Sequence, residues 1–167
     1  MDIGKSISGA LFSDDNESNR YSLWRIWERT NDYLLFIGLN PSTASYIKDD
    51  PTILRVVGFA KTFGFGGLYV GNLFSFVSAN PERLNPFVSV EYKDEINDEA
   101  IKRMRELSTL VLVGWGEWGT RAGIRPQQVI SLVGEPVYCL KVNQSGEPSH
   151  PLYLPRNTKL SRYYRKK

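Results

Sequence analysis

The chain has 167 residues, 41% of them hydrophobic and 23% charged, with a net charge of +3. That size suits one domain with a buried core, and no apolar run nears the roughly 20 residues of a membrane-spanning helix. A single cysteine, Cys139, and a single histidine, His150, exclude an internal disulfide, a multi-cysteine iron–sulfur site and a structural zinc site, and a reducing cytoplasm fits.

Residues 1–10 carry Asp2 and Lys5 and no apolar stretch, so no secretory leader is expected. Residues 9–12 are a short apolar run and residues 13–19 a polar turn. In residues 20–27, Tyr21, Leu23 and Trp27 alternate with polar partners, which predicts an N-terminal β-hairpin feeding a sheet. The spacing of Arg20, Leu23, Trp24 and Trp27 also suits a short helix. Arg29-Thr30-Asn31-Asp32 turns the chain into its most apolar stretch, Leu34-Leu35-Phe36-Ile37, which runs into Gly38 and the polar turn of Asn40, Pro41 and Ser42. An apolar run bounded by turn residues predicts a fully buried strand over residues 33–39, of the kind found in parallel sheets covered on both faces.

Asp49-Asp50-Pro51-Thr52 reads as a helix start, since Asp caps and Pro is favoured in the first turn. Ile53, Val56, Val57, Ala60 and Phe63 give that helix an apolar face, and Gly64 with Gly66-Gly67 ends it. Residues 68–73 predict a second buried strand that carries Asn72, and residues 75–90, with Pro81 and Pro86, an irregular connection. Ile96, Ala100, Met104 and Leu107 predict a helix over residues 93–107. A third strand is expected over 109–113, then a turn at Gly114-Trp115-Gly116. Residues 117–133 read as largely helical with a break or restart at Pro126, and residues 136–142 as a fourth strand. A loop over 143–149 leads to His150-Pro151-Leu152. Strands separated by helical segments predict βαβ units with right-handed crossovers, hence one α/β domain over residues 1–167 around a four-stranded, mainly parallel sheet.

In a parallel sheet all strands end on one edge, and ligands bind there. That edge should collect Gly38, Asn40, Pro41 and Ser42 from the first strand, Asn72 and Phe74 from the second, Trp115 and Glu117 from the third, and His150 beyond the fourth. Amides, a hydroxyl, aromatics and the single histidine suit a pocket that stacks a flat ring and reads its polar edge, because a carboxamide offers both donor and acceptor. Each residue also has a plainer role: Asn closes turns, Trp115 fills core and His150 sits in a loop. Asp49 and Asp50 are most simply caps that favour the helix dipole; the functional alternative is a carboxylate that activates water or steadies a cationic transition state. Gly64-Phe65-Gly66-Gly67 precedes a strand, the wrong context for a dinucleotide fingerprint, and the chain has no P-loop, nucleophile elbow or HExxH motif. Neither a cofactor nor a metal is expected.

Charge is unevenly spread. Residues 1–100 hold nine Lys/Arg against fourteen Asp/Glu, and residues 101–167 hold twelve against four. From Pro148 onward there is no acid, and the basic tail over 156–167 sets Arg156, Lys159, Arg162, Arg165, Lys166 and Lys167 around Tyr163 and Tyr164. Cations interleaved with aromatics can follow a phosphate backbone, so DNA is the expected partner, and no membrane is. The same stretch also reads as a solvated, frayed terminus.

The series Gly38-Leu39-Asn40-Pro41-Ser42, Asp49-Asp50-Pro51-Thr52, Gly71-Asn72-Leu73-Phe74, Gly114-Trp115-Gly116 and Ser149-His150-Pro151-Leu152 resembles the bacterial and phage family DUF1643, across nearly the whole chain. More distantly, the same motifs in the same order resemble the uracil-DNA glycosylase superfamily. That resemblance implies a three-layer α/β/α fold. It implies that Asn40 of Gly38-Leu39-Asn40-Pro41 holds the catalytic water, as in the mismatch-specific uracil/thymine branch. It further implies that Asn72 reads the pyrimidine edge, that Trp115-Gly116 matches the third motif, and that His150-Pro151 holds the anionic base and the DNA backbone. The chain departs from the pattern with Ser42 after the first motif's Pro, Leu152 in place of a Ser, and the added Asp49-Asp50-Pro51-Thr52 element. Phe74, Tyr46 or Phe65 would stack on the base.

Two functions of different class follow. One is an N-glycosidic bond hydrolase acting on a flipped, modified or mismatched pyrimidine in DNA, in a repair or modification setting. The other is a non-catalytic binder of nucleic acid or a nucleotide, with a nucleoside or nucleotide hydrolase as a third option.

Overall fold

The computed structural model describes residues 7–13, 16–29, 32–89 and 91–166. Expectations touching residues 1–6, Asp14, Asp15, Thr30, Asn31, Val90 and Lys167 lie outside these.

The most apolar stretch of the sequence is the centre of the sheet. Strand β3 (Tyr33–Gly38) buries every residue after Tyr33. It pairs in parallel with β4 (Gly67–Asn72) on one side and β5 (Leu110–Val113) on the other. Strand β6 (Val137–Cys139) continues in parallel from β5. The predicted fourth strand, 136–142, is thus much shorter than expected.

Among the described residues the sheet has seven strands, not the expected four. The hairpin of β1 (Ile7–Phe12) and β2 (Arg20–Ile26) is no separate appendage: β2 pairs antiparallel with β4 and joins the same sheet. At the other edge β7 (Ser161–Tyr163), drawn from the basic tail, pairs antiparallel with β6. The order is β1-β2-β4-β3-β5-β6-β7. An exposed strand edge invites pairing, and β7 covers the one that β6 would otherwise present. Three residues sufficed, too few for a period-2 pattern to be seen.

Side chains alternate across a strand, so β3 feeds two cores. Leu34 and Phe36 meet Ile53, Val56, Phe59 and Ala60 of α1 (Pro51–Thr62). Leu35 and Ile37 meet Ile101 and Met104 of α2 (Glu95–Glu106) and Val129, Ile130 and Val133 of α3 (Arg125–Val133). Helices on both faces explain why β3 shows no polar alternation. Each large aliphatic or aromatic residue buried here contributes about 1.5–3 kcal/mol.

Helix α1 starts where the sequence predicts: the Asp50 side chain accepts from Ile53 N at 2.9 Å and Pro51 opens the first turn. Gly64, at φ +85°, follows its end in the left-handed region that Gly adopts freely. The Pro81/Pro86 connection holds a 3₁₀ helix, Pro81–Phe87. The predicted 117–133 helix divides into a 3₁₀ helix, Glu117–Arg121, and α3, with Pro126 in the first turn of the latter. No helix among the described residues is long and apolar enough to cross a membrane.

Candidate functional site

The strand register brings the polar strand ends together. Gly38 lies opposite Asn72, and beyond them Leu73 N donates to Gly38 O at 2.9 Å while Gly114 N donates to Ile37 O at 3.0 Å. The edge so formed opens into a cavity of about 340 Å³, within the range of small-molecule sites. Gly38, Asn40, Ser42, Asp50, Asn72, Trp115 and His150 all line it.

Asn40 is fixed by its amide nitrogen, which donates to Ser78 O at 2.9 Å, Phe76 O at 3.1 Å and Pro41 O at 3.2 Å. Three carbonyls around one nitrogen settle which end of the amide is which. The oxygen Oδ1, an acceptor, has no partner among the described residues and is the group left for a ligand. An Asp could not replace this Asn, because a carboxylate cannot donate to those carbonyls.

Asn72, at the end of β4, is held the opposite way. Its Oδ1 accepts from Arg20 Nη2 at 3.5 Å, and its backbone carbonyl accepts from Asn97 Nδ2 at 3.1 Å. That leaves Nδ2 as a donor, and it needs Gly38 beside it: a Cβ there would stand 3.0 Å from Nδ2. The two amides thus present complementary groups, an acceptor from Asn40 and a donor from Asn72.

His150 caps a short 3₁₀ helix, Pro151–Tyr153, by accepting from Leu152 N at its Nδ1, at 3.2 Å. An accepting Nδ1 carries no proton, so in the neutral ring the proton sits on Nε2. Burial holds the ring's pKa below the usual histidine value, against the pull of the Asp50 carboxylate. The loop under it is tied down: Gly116 N donates to Pro148 O and Ser149 N to Lys141 O, at 2.9 and 2.8 Å. Gly116 has φ +79°, and a Cβ on it would sit 3.4 Å from that of His150.

Asp49 and Asp50 part company. Asp50 is buried, caps α1 with Oδ1 and lines the cavity. Asp49 is not among the lining residues; it ion-pairs with Arg25 Nε at 2.8 Å. Pro41 and Phe74 also lie off the cavity. Pro41 is buried with its carbonyl accepting from Ser78 N, and Phe74 is fully buried in the core with its ring edge-on to Tyr92. Glu117 accepts from Asn143 and Ser145 instead. Of the expected stacking residues, Phe65 packs against the α1-side core and Tyr46 meets Phe12 edge-on. The rings that do line the cavity are Phe36, Trp115 and Tyr153. Trp115 is held by its Nε1, which donates to buried Glu147 at 2.7 Å.

The basic tail is less free than its composition suggests. Arg165 donates to Glu147 at 2.5 Å, and Tyr163 is buried edge-on to Trp115. Lys159 and Arg162 are exposed, with Arg162 stacked over Tyr164. Arg156 joins Arg55 in a second groove of about 540 Å³ beside α1, which shares Leu152 with the first cavity.

The residue the sequence did not single out is Arg20. It is 2% exposed and lines the cavity, yet among the described residues it makes only two hydrogen bonds, to Ala44 O at 3.1 Å and to Asn72. Its Nε is buried without a partner among the described residues. Burial pulls its pKa down to about 10, with the Asp50 carboxylate opposing and Arg25 assisting, so it remains a cation at neutral pH. Because β2 runs antiparallel to β4, its first residue, not its last, reaches the ligand edge.

Among known proteins, no curated protein and no solved structure matches this chain. A family model described as "Protein of unknown function (DUF1643)" matches residues 20–152, which span every cavity-lining group discussed above except Tyr153. The chain therefore belongs to the DUF1643 family.

Proposed function

We propose that this protein is a DNA glycosylase-like hydrolase that cuts the N-glycosidic bond of a flipped, modified or mismatched pyrimidine, in the cytoplasm, on a fold of the uracil-DNA glycosylase type. The observation that carries the reading is the single cavity shared by Asn40, Asn72 and His150, which come from three separate stretches of chain. In chain order they follow the parallel strands β3, β4 and β6, an arrangement that resembles the order of the glycosylase motifs.

In this reading a base enters between the rings of Phe36, Trp115 and Tyr153. Flipping costs a few kcal/mol of stacking and pairing, which stacking and edge hydrogen bonds inside the cavity offset. Asn72 Nδ2 donates to a base carbonyl. As the C1′–N1 bond breaks, its electron pair moves onto the base, and the neutral His150 ring donates its Nε2–H to the oxygen where that charge gathers. Asn40 Oδ1 accepts one hydrogen bond from a water facing the cationic C1′. An amide cannot take a proton, so the proton released as that water adds goes to the Asp50 carboxylate, the acid group lining the cavity. The groove holding Arg55 and Arg156 adjoins the cavity and suits the flanking phosphates, and Lys159 and Arg162 add exposed cations elsewhere in the tail.

The test is to incubate stoichiometric protein with duplexes carrying uracil, mismatched thymine or modified pyrimidines, and to score abasic sites by alkaline strand cleavage. At least one should be cut, and Asn40→Ala and His150→Asn should each slow cleavage about 10²-fold or more. Intact strands throughout would refute the reading.

A second reading, a binder or hydrolase of free nucleosides or nucleotides, is favoured by one observation: the buried cation Arg20 suits a small charged ligand better than an uncharged base. Turnover of a mononucleotide without DNA would select it.

A further inference from the structure

Arg20 is the group in the cavity that the glycosylase reading leaves unused. A buried charge is costly unless paired and hydrogen-bonded, and most buried guanidinium groups are. Arg125, 3% exposed, has Asp98 at 2.7 Å and Leu73 O at 2.6 Å. Among the described residues Arg20 has no carboxylate within 4 Å; Asp50 reaches it only through space. Of its five N–H groups two are used, and the Nε–H is enclosed with no acceptor. Asn72, which Arg20 touches, offers Nδ2 as a donor, and the His150 ring lines the same cavity, so the cavity offers N–H groups and a positive charge. Two further features bear on it. Thr52 and Ile53, in the first turn of the twelve-residue helix α1, line the same cavity, so the positive end of that helix faces it. The Asp50 carboxylate also lines it and opposes an anion, but one of its oxygens is spent capping α1.

We propose that Arg20, Asn72 and His150 form a subsite for a terminal oxyanion, so that the ligand enters this cavity carrying a phosphate or carboxylate group that Arg20 neutralises. Such a group comes from one of two sources: the 5′-phosphate of a free mononucleotide, or an anionic substituent on a pyrimidine within DNA. The subsite stands on the geometry of Arg20 and holds whether or not the site cleaves a glycosidic bond.

The probe is inorganic phosphate, titrated against chloride at matched ionic strength and followed by thermal unfolding and calorimetry. Wild-type protein should show saturable, phosphate-specific stabilisation. Arg20→Gln, which keeps a donor and loses the charge, should weaken phosphate binding roughly tenfold or more. Asn72→Asp, nearly isosteric, places a carboxylate beside Arg20; it should raise the melting temperature of the ligand-free protein and abolish the phosphate response. Asn72→Asp carries the test even if Arg20→Gln fails to fold. Phosphate that acts no differently from chloride on the wild type, or an undiminished response in Asn72→Asp, overturns the proposal. Displacement of phosphate by a 5′-mononucleotide but not its nucleoside identifies the first source, and displacement by an oligonucleotide carrying 5-carboxyuracil but not thymine identifies the second. A phosphate response without abasic sites would keep this subsite and sink the glycosylase reading, and abasic sites without a phosphate response would do the reverse.

Discussion

Strand β2 carries two buried arginines five positions apart, and they are treated in opposite ways. Arg25, 7% exposed, is saturated: Nε pairs with Asp49 at 2.8 Å, Nη2 donates to Ser45 O at 2.6 Å and Nη1 to Trp24 O at 2.8 Å. Arg20, 2% exposed, has two hydrogen bonds and an orphan Nε. Burial alone does not separate them. Satisfaction does: Arg25 holds the 45–49 loop against the hairpin, whereas Arg20 keeps unspent bonding capacity at the wall of a cavity. A polar group left short inside a folded protein is where a ligand's contribution is expected.

The contrast is open to measurement. Arg25→Met removes the cation and orphans the loop carbonyls, and should lower stability in urea unfolding by about 3 kcal/mol, at the low end of the cost of a broken buried pair because Asp49 keeps contact with water. Arg20→Met should change stability by no more than about 1 kcal/mol, since it exchanges a poorly paired charge for an apolar side chain. Equal losses would erase the distinction.

Next in size is Arg165→Ala. It leaves Glu147, 4% exposed, with the Trp115 indole and no cation, and should cost about 2 kcal/mol. The salt dependence of the proposed DNA binding should not move. Arg156→Ala should do the converse, leaving stability alone and reducing the slope of log affinity against log salt by about one phosphate contact.

Gly38→Ala brings a methyl group to 3.0 Å from Asn72 Nδ2 and 3.3 Å from Phe36. It should cost about 1 kcal/mol of stability and, because it pushes the amide out of line, a larger share of phosphate binding and of cleavage.

The smallest effect is on pH dependence. His150 has a folded pKa below its ordinary value of 6.5, so the unfolded chain binds a proton more readily than the folded one. Its stability contribution is complete above about pH 6.5 and is lost as pH falls through that value towards the folded pKa. As His150 is the single histidine, His150→Asn should flatten the stability slope just below pH 6.5. An unchanged slope would show that the ring is not buried as described.

Much of this molecule was legible in its sequence because the signals were strong. Leu34-Leu35-Phe36-Ile37 is a buried strand since nothing polar interrupts it, and Asp50-Pro51 starts a helix by capping chemistry. Asn40, Asn72, Trp115 and His150 could be placed together because parallel strands end on one edge. The same rule hid Arg20: a search of strand carboxyl ends passes over an antiparallel strand that begins at that edge. Strand β7 was hidden by its length and its basic composition, and Phe74, two residues past Asn72, would share its face only if the strand ran on; β4 ends at Asn72 and the Phe74 ring packs into the core instead. Asp49 and Asp50 looked alike in sequence, yet only the long-range pairing of Arg25 with Asp49 divides their roles.

The central claim, that the strand-end cavity receives a flipped pyrimidine and cuts it from its sugar, is tested most directly by one rapid-mixing measurement. Stoichiometric protein is mixed with a duplex that carries 2-aminopurine beside the target pyrimidine, and fluorescence and abasic sites are followed in the same sample. The account predicts a fluorescence rise as the base leaves the stack, followed by abasic sites, with His150→Asn keeping the rise and slowing the cut about 10²-fold. Neither a rise nor an abasic site on any mismatched or modified pyrimidine would contradict it.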